Sequence, residues 1–77
     1  MANPRVWLVD RRNKLGLTQQ QVATEAFIDR SFYTQIESGL RNPSVDTAKA
    51  IAKALKISWT IFFNDEYGET QLKPKVG

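Results

Sequence analysis

The sequence predicts an all-α fold of five short helices. Three observations predict it. A chain of 77 residues has room for a single domain. Residues that cap helix N-termini recur at short intervals, and apolar residues follow them at helical spacing. We expect this domain to occupy residues 1–63. A polar, loosely ordered tail is expected at 64–77, where glycine and proline return.

The first two helices are predicted from their ends. Asn3 can cap a helix, and Pro4 suits a first helical turn. Gly16 is a plausible stop in the left-handed conformation. Thr18 begins the second helix, because Thr18 and Gln21 form the pattern of a capping box.

The third helix follows the second after a very short turn. Asp29 is a good cap for a helix over residues 30–38, and Gly39 ends it. Only Phe27 and Ile28 separate the second helix from that cap. A turn this short makes two helices cross at a large angle, as in a helix-turn-helix.

The last two helices carry most of the remaining apolar residues. Ser44 caps a fourth helix over residues 45–55, and Ser58 caps a short fifth helix. The fourth helix has one apolar face, formed by Ala48, Ile51, Ala52 and Leu55. The fifth contains Trp59, Ile61, Phe62 and Phe63. These side chains either complete the core or leave an apolar patch that a second copy of the chain covers.

The composition excludes several classes of protein. The chain has no cysteine and no histidine, so disulfides, thiolate nucleophiles and the commonest general base are missing. We therefore expect no catalytic residue, no metal site and no cofactor. No apolar run approaches the roughly 20 residues of a membrane helix, and no signal peptide is evident. A cytoplasmic protein without a membrane partner is predicted.

The charge pattern is compatible with a polyanionic partner. The net charge is +3, and the basic excess lies in residues 1–56, which hold nine Lys and Arg against five Asp and Glu. Such an excess permits nucleic-acid binding. An ordinary solvated surface explains the charge alone equally well.

A set of short motifs then occurs in a familiar order. They are Leu17-Thr18-Gln19, Val22-Ala23, Arg30-Ser31, Ile36-Glu37, Gly39, Arg41-Asn42-Pro43-Ser44 and Ile51-Ala52-Ala54-Leu55. Together, over about residues 8–63, they resemble the Xre family of helix-turn-helix regulators, which are related to lambdoid phage repressors and Cro. The resemblance implies a five-helix, repressor-like DNA-binding domain. Its second helix would cross the DNA backbone, and its third would enter the major groove.

The third helix carries the candidate base contacts. Helical spacing places Tyr33 and Ile36 toward the core and leaves the opposite face polar. That face carries Arg30, Ser31, Thr34 and Gln35. A guanidinium, two hydroxyls and an amide suit base edges. A plain solvent-exposed face has the same composition, so it is the resemblance that favours DNA contact.

Further positions follow from the resemblance. Thr18 and Gln19, at the start of the second helix, would face a phosphate, which a helix N-terminus favours in any case. Their simpler role is the capping box, and both roles can hold together. Arg41 and Asn42 would contact the DNA backbone, or form an ordinary exposed loop. The pair Arg12 and Glu37 matches a family ion pair that orients the recognition helix.

Three positions depart from the family pattern. Phe27 stands where the turn usually has glycine, Lys56 where glycine is frequent, and Arg11 where an apolar residue is frequent. Either the turn is rebuilt, or Phe27 tolerates a left-handed conformation because its ring packs. Phe32 would either touch a thymine methyl or the sugar backbone, or pack on Phe27. Packing on Phe27 is the favoured prediction.

The expected function is that of a sequence-specific, double-stranded DNA-binding transcription regulator, a repressor that reads a palindromic operator as a homodimer. The dimer contact is expected at Trp59, Ile61, Phe62 and Phe63. Small members of the family are phage or mobile-element repressors, restriction-modification controllers and housekeeping regulators. The alternative is an antitoxin or antirepressor whose main partner is a protein held by the tail, with Tyr67, Leu72 and Val76. RNA binding and enzymatic activity rank below both, because neither a stacking platform nor a paired catalytic constellation is evident.

Overall fold

A computed structural model of the chain describes residues 3–63. These residues form four α-helices and one 3-10 helix, and no strand occurs in that range. The elements are α1 (Val6–Lys14), α2 (Gln19–Ala26), α3 (Arg30–Ser38), α4 (Val45–Leu55) and the 3-10 helix Trp59–Phe63. The all-α prediction is confirmed. The predicted tail at 64–77 lies outside the described residues.

The fifth helix differs from the prediction. Trp59–Phe63 is a 3-10 helix of five residues. The amide of Ile61 donates to the carbonyl of Ser58 three residues earlier, at 3.3 Å. A segment this short gains few α-helical hydrogen bonds, so the tighter 3-10 turn suffices.

Helices α2, α3 and α4 begin at the predicted caps. Thr18 and Gln21 form a complete capping box, with the Gln21 amide donating to the Thr18 hydroxyl at 3.0 Å. The Asp29 carboxylate accepts from the Ser31 amide at 3.1 Å. The Ser44 hydroxyl accepts from the Thr47 amide at 3.2 Å. Local sequence therefore decides where these three helices start.

The predicted start of α1 is wrong. The N-cap is Arg5, without a side-chain cap, instead of Asn3. The Arg5 amide donates to the carbonyl of Glu37 at 2.8 Å, outside α1. Residues 3–5 therefore run across the end of α3 and do not form the first turn of α1.

Within residues 3–63, four turns contain a residue in the left-handed conformation. Gly16 and Gly39 adopt it at φ 71° and 84°, and Phe27 and Lys56 adopt it at φ 60° and 59°. The turn after α2 thus keeps the geometry that glycine favours. The left-handed φ of Phe27 shows that the turn is not rebuilt, and its 93% exposure shows that its ring does not pack, so both predicted explanations are wrong. Phe32 packs against the core cluster, which also corrects the predicted contact with Phe27.

One core joins all the helices. Its buried side chains are Leu8, Val22, Ala23, Ala26, Tyr33, Ile36, Ile51 and Leu55. The ring of Phe62 extends this core, because it meets the ring of Trp7 edge to face at 5.1 Å between centroids. Among residues 3–63, no helix has both the length and the apolar character needed to cross a bilayer.

Arg11 caps the end of α4. Its Nε donates to the carbonyl of Leu55 at 2.9 Å, and its Nη2 donates to the carbonyl of Lys56 at 3.2 Å. The last carbonyls of a helix have no partner within the helix. A guanidinium at this usually apolar position supplies one, and it does so at a helix end where Lys56 replaces the frequent glycine.

Candidate nucleic-acid interface

The outer face of α3 is polar, as the helical spacing predicts. Tyr33 and Ile36 are fully buried on its inner side. On the outer side, Arg30, Ser31 and Thr34 are exposed and Gln35 is half-buried. The helix thus presents a cation, two hydroxyls and an amide on one surface while its apolar residues fix it to the core.

Gln19 couples α2 to α3. Its Oε1 accepts from the Thr34 hydroxyl at 3.1 Å, and its Nε2 donates to Glu37 Oε1 at 2.9 Å. The carboxylate offers only acceptors, so Glu37 determines which way the Gln19 amide faces. One hydrogen on Nε2 is not used in these two bonds and remains available to an acceptor such as a phosphate oxygen.

A buried ion pair ties α1 to α3. Arg12 Nε lies 2.6 Å from Glu37 Oε2, and Arg12 Nη2 donates to Glu37 Oε1 at 3.3 Å. Arg12 Nη1 also donates to the carbonyl of Leu17, at 3.0 Å. The two charged side chains are 14% and 5% exposed. The guanidinium therefore fixes both α3 and the segment that leads into α2.

The pKa values of this cluster follow from burial and pairing. Burial alone would raise the pKa of Glu37, but the hydrogen bonds from Arg12 and Gln19, together with the positive charge of Arg12, outweigh it and hold the pKa below its ordinary value. The Glu37 hydrogen bond raises the pKa of Arg12. Burial, and then the neighbouring Glu37 carboxylate, raise the pKa of Tyr33. At neutral pH the cluster therefore holds one carboxylate, one guanidinium and a neutral phenol.

The start of α2 and the start of α3 share one depression on the surface. Thr18, Gln19 and Arg30 line it together with Arg12, Asn13, Leu17 and Gln20. The fold thus brings the proposed phosphate contacts of α2 beside the first proposed base contact of α3. Two of the residues that line the depression, Arg12 and Arg30, are arginines.

Arg41 and Asn42 lie beyond the other end of α3, and both are exposed. Asn42 Oδ1 accepts from Arg5 Nη2 at 2.7 Å, and the Arg41 carbonyl accepts from Arg5 Nη1 at 3.1 Å. The role of Arg5 is not predicted by the sequence. No local signal marks it, because its partners lie 31 to 37 residues away along the chain.

The residues proposed for a dimer contact form an aromatic surface at the 3-10 helix. Trp59 and Phe63 meet edge to face at 6.0 Å between centroids, and the Lys49 ammonium lies 5.1 Å from the Trp59 ring. Phe63 is about half exposed, at 48%, whereas Ile61 and Phe62 are more buried. The structure therefore divides this group between the core and the surface.

Comparisons with known proteins show which family and which proteins this chain resembles. Residues 8–62 match a family described as helix-turn-helix. An uncharacterised HTH-type transcriptional regulator of Bacillus subtilis, YqaF, is 46% identical over 71 residues, which are 92% of this chain and 93% of that protein. The control protein C.MunI of a Mycoplasma species is 34% identical over 55 residues, covering 71% of this chain and 74% of that one. The solved structure of the restriction-modification controller protein C.AhdI from Aeromonas hydrophila superimposes with a TM-score of 0.67 at 34% identity, covering 73% of this chain and 85% of that one.

Proposed function

The chain belongs to the helix-turn-helix family of transcriptional regulators, and from that premise we propose that it is a cytoplasmic repressor that binds a palindromic operator as a homodimer. The resemblance to the Xre family is thereby confirmed. The observation that carries the proposal is the exposed polar face of α3, held in place by a buried ion pair. A recognition helix needs both properties, because its side chains must reach base edges in a fixed register.

Base reading is assigned to α3. Arg30 suits guanine, Gln35 suits adenine, and Ser31 and Thr34 suit several base edges. Arg30 and Ser31 occupy the first turn of α3, the part of a recognition helix that enters the groove most deeply. Thr34 already donates to Gln19, so it contacts DNA through its remaining acceptor capacity or through its methyl group.

Phosphate contacts are assigned to both sides of α3. Thr18 and Gln19 lie at the N-terminus of α2, where backbone N–H groups and the helix dipole favour an anion. Arg41 and Asn42 lie past the C-terminus of α3. Two phosphate sites that flank one recognition helix would fix its depth and angle in the major groove.

The dimer is proposed because one recognition helix reads only a few base pairs. Two half-sites spaced by about 34 Å, one helical turn of DNA, would give useful specificity. The exposed side of Phe63, with Trp59 beside it and Ile61 and Phe62 on the same short helix, is the surface proposed for the contact. Similarity to control proteins supports a small regulator of this kind.

The test is selection of binding sites from a random duplex library at about 100 mM salt, a concentration at which unspecific contacts are partly screened. A palindromic motif with half-sites about one helical turn apart is the expected result. Arg30→Ala should then change which base is preferred at one position, whereas Arg41→Ala should weaken all sequences alike. Lys53→Ala, on the exposed side of α4, removes the same charge and serves as the control.

Two outcomes would contradict the proposal. A folded protein that enriches no motif would not be a sequence-specific regulator, and a pull-down for a protein partner would follow. A motif without two-fold symmetry, bound by a protein that sediments as a monomer, would remove the homodimer and the palindrome.

A further inference from the structure

The segment before α1 closes the end of α3. The last carbonyls of a helix lack partners within the helix. Arg5 supplies donors to two of them, with its amide on the carbonyl of Glu37 at 2.8 Å and its Nη1 on the carbonyl of Ile36 at 2.6 Å. A Cβ at Gly39 would collide with the carbonyl of Asn3, so the segment lies directly against this end of the helix.

The same guanidinium holds the loop that follows α3. Its Nη1 also donates to the carbonyl of Arg41 at 3.1 Å, and its Nη2 donates to Asn42 Oδ1 at 2.7 Å. One planar group therefore joins the end of the recognition helix to both residues of the proposed phosphate contact. The ammonium of a lysine cannot match this fixed fork of donors.

Arg5 is itself held in place. The carbon at the centre of its guanidinium lies 5.9 Å from the centroid of the Phe62 ring. Phe62 in turn packs edge to face on Trp7, the second residue of α1. The guanidinium is thus packed between the loop and the aromatic end of the core.

The contact with Arg5 also sets the orientation of the Asn42 amide. An arginine has donors only, so the atom that faces it must be the amide oxygen. The Asn42 nitrogen, a donor, is then left for a group outside the loop. A phosphate oxygen requires such a donor.

We propose that Arg5 is a positioning residue of the DNA interface, which sets the Arg41–Asn42 loop against α3 so that both side chains meet the DNA backbone. This inference rests on the proposed function, because it gives the loop contact its geometry. Arg5 acts through the loop, without contacting DNA itself. Its removal should therefore weaken operator binding only as long as the loop residues are present.

The experiment measures operator affinity for a set of matched variants, at a temperature where circular dichroism shows each to be folded. Arg5→Ala and Arg5→Lys should both weaken binding about tenfold. Arg11→Ala is the control, since it too removes an arginine whose guanidinium caps a helix, in this case the end of α4. It should change the affinity less than about twofold, which is less than ~0.4 kcal/mol.

The decisive comparison repeats Arg5→Ala in a protein that already carries Arg41→Ala and Asn42→Ala. We expect almost no additional loss there, because the groups that Arg5 positions are gone. A tenfold loss that persists in this background would show that Arg5 contacts DNA directly or acts on the whole domain, and would overturn the inference. Wild-type affinity in both Arg5 variants would overturn it as well.

Failure of the proposed function has a different signature. In that case the wild-type protein itself binds no selected duplex, and Arg41→Ala has no effect to compare with. The local geometry is then checked by NMR. Arg5→Lys should shift the Asn42 side-chain amide and the Arg41 backbone amide, and Arg11→Ala should leave both unchanged.

Discussion

The two ends of α3 are fixed by different kinds of contact. At its start, Asp29 caps the Ser31 amide two residues away, and the turn before it ends α2 in a left-handed residue. At its end, Arg5 reaches carbonyls and a side chain that lie more than thirty residues further along the chain. The Phe27 ring at the start is almost fully exposed, whereas the Gly39 turn at the end is covered by Asn3.

This difference shows what each end requires. Local capping determines where α3 begins. The turn before it stays exposed to solvent and accommodates the large side chain of Phe27. The other end depends on a segment from elsewhere in the chain and leaves no room for a side chain at Gly39. We therefore expect substitutions at the start of α3 to change stability little. Substitutions at its end, or at the ion pair that aligns α3 with α1, should lower stability strongly.

The largest effect is expected at the ion pair that aligns α3 with α1. Arg12→Ala leaves the buried Glu37 carboxylate without its charged partner, and it should lower the free energy of unfolding by about 3–5 kcal/mol. Urea unfolding followed by circular dichroism measures this. Arg12→Met combined with Glu37→Leu should recover much of the loss, because neither charge is then buried alone. A loss below about 1 kcal/mol in Arg12→Ala would mean that the pair behaves as a solvated one.

Acid removes part of the same contribution. The pKa of Glu37 is lower in the folded protein than its ordinary value of 4.5, so the folded state favours the ionised form. Its contribution to stability is fully present above pH 4.5 and is lost as the pH falls through the folded pKa. Thermal unfolding between pH 7 and pH 3 should show this decline. In Glu37→Gln, the decline should be shallower than in the wild type, and an equal decline would assign it to other carboxylates.

The end of α3 is tested by comparing two glycines. Gly16→Ala meets no atom within 4 Å and should cost about 1–2 kcal/mol, the strain of a left-handed residue. Gly39→Ala adds the collision with Asn3 and should cost roughly 1–3 kcal/mol more. Equal losses in the two variants would mean that residues 3–5 move aside at little cost.

The smallest effect is expected at the start of α3. Phe27→Gly removes the strain of φ 60° but makes the unfolded chain more flexible, so stability should rise by about 0.5–1 kcal/mol. Phe27→Ala keeps the strain and should lie within about 0.5 kcal/mol of the wild type, because the ring is exposed. A loss above 1 kcal/mol in Phe27→Ala would show that the ring packs after all.

The contrast between local caps and contacts distant in sequence also decides which helix starts the sequence predicts. The starts of α2, α3 and α4 follow from cap residues and their nearest neighbours, and the structure places them at Thr18, Asp29 and Ser44. The sequence predicts the wrong start for α1, because Asn3 has the right chemistry for a cap but lies against Gly39 at the end of α3. Local preference cannot reveal a competing partner that is distant in sequence.

The candidate interface divides in the same way. The polar face of α3 follows from helical periodicity, and its interpretation as a DNA contact follows from the family resemblance. The sequence does not predict the partners of Arg5 and Arg11. No local pattern indicates that an arginine in or before α1 donates to a carbonyl of α3 or α4. The sequence predicts the wrong neighbour for Phe32, because helical periodicity alone does not show whether its ring packs on the core or on Phe27.

The long reach of Arg5 has a kinetic consequence. Its bonds to Ile36 and Asn42 close loops of 31 and 37 residues, whereas the caps of α2 and α3 close within three. Loop-closure entropy delays the distant contacts until most of the chain has collapsed. Mutations of the caps should therefore slow folding, and mutations of Arg5 should mainly speed unfolding. Helix α3 would then form from its first turn and be fixed at its last turn, so the contacts of Arg5, which form latest, determine how long α3 keeps its native position.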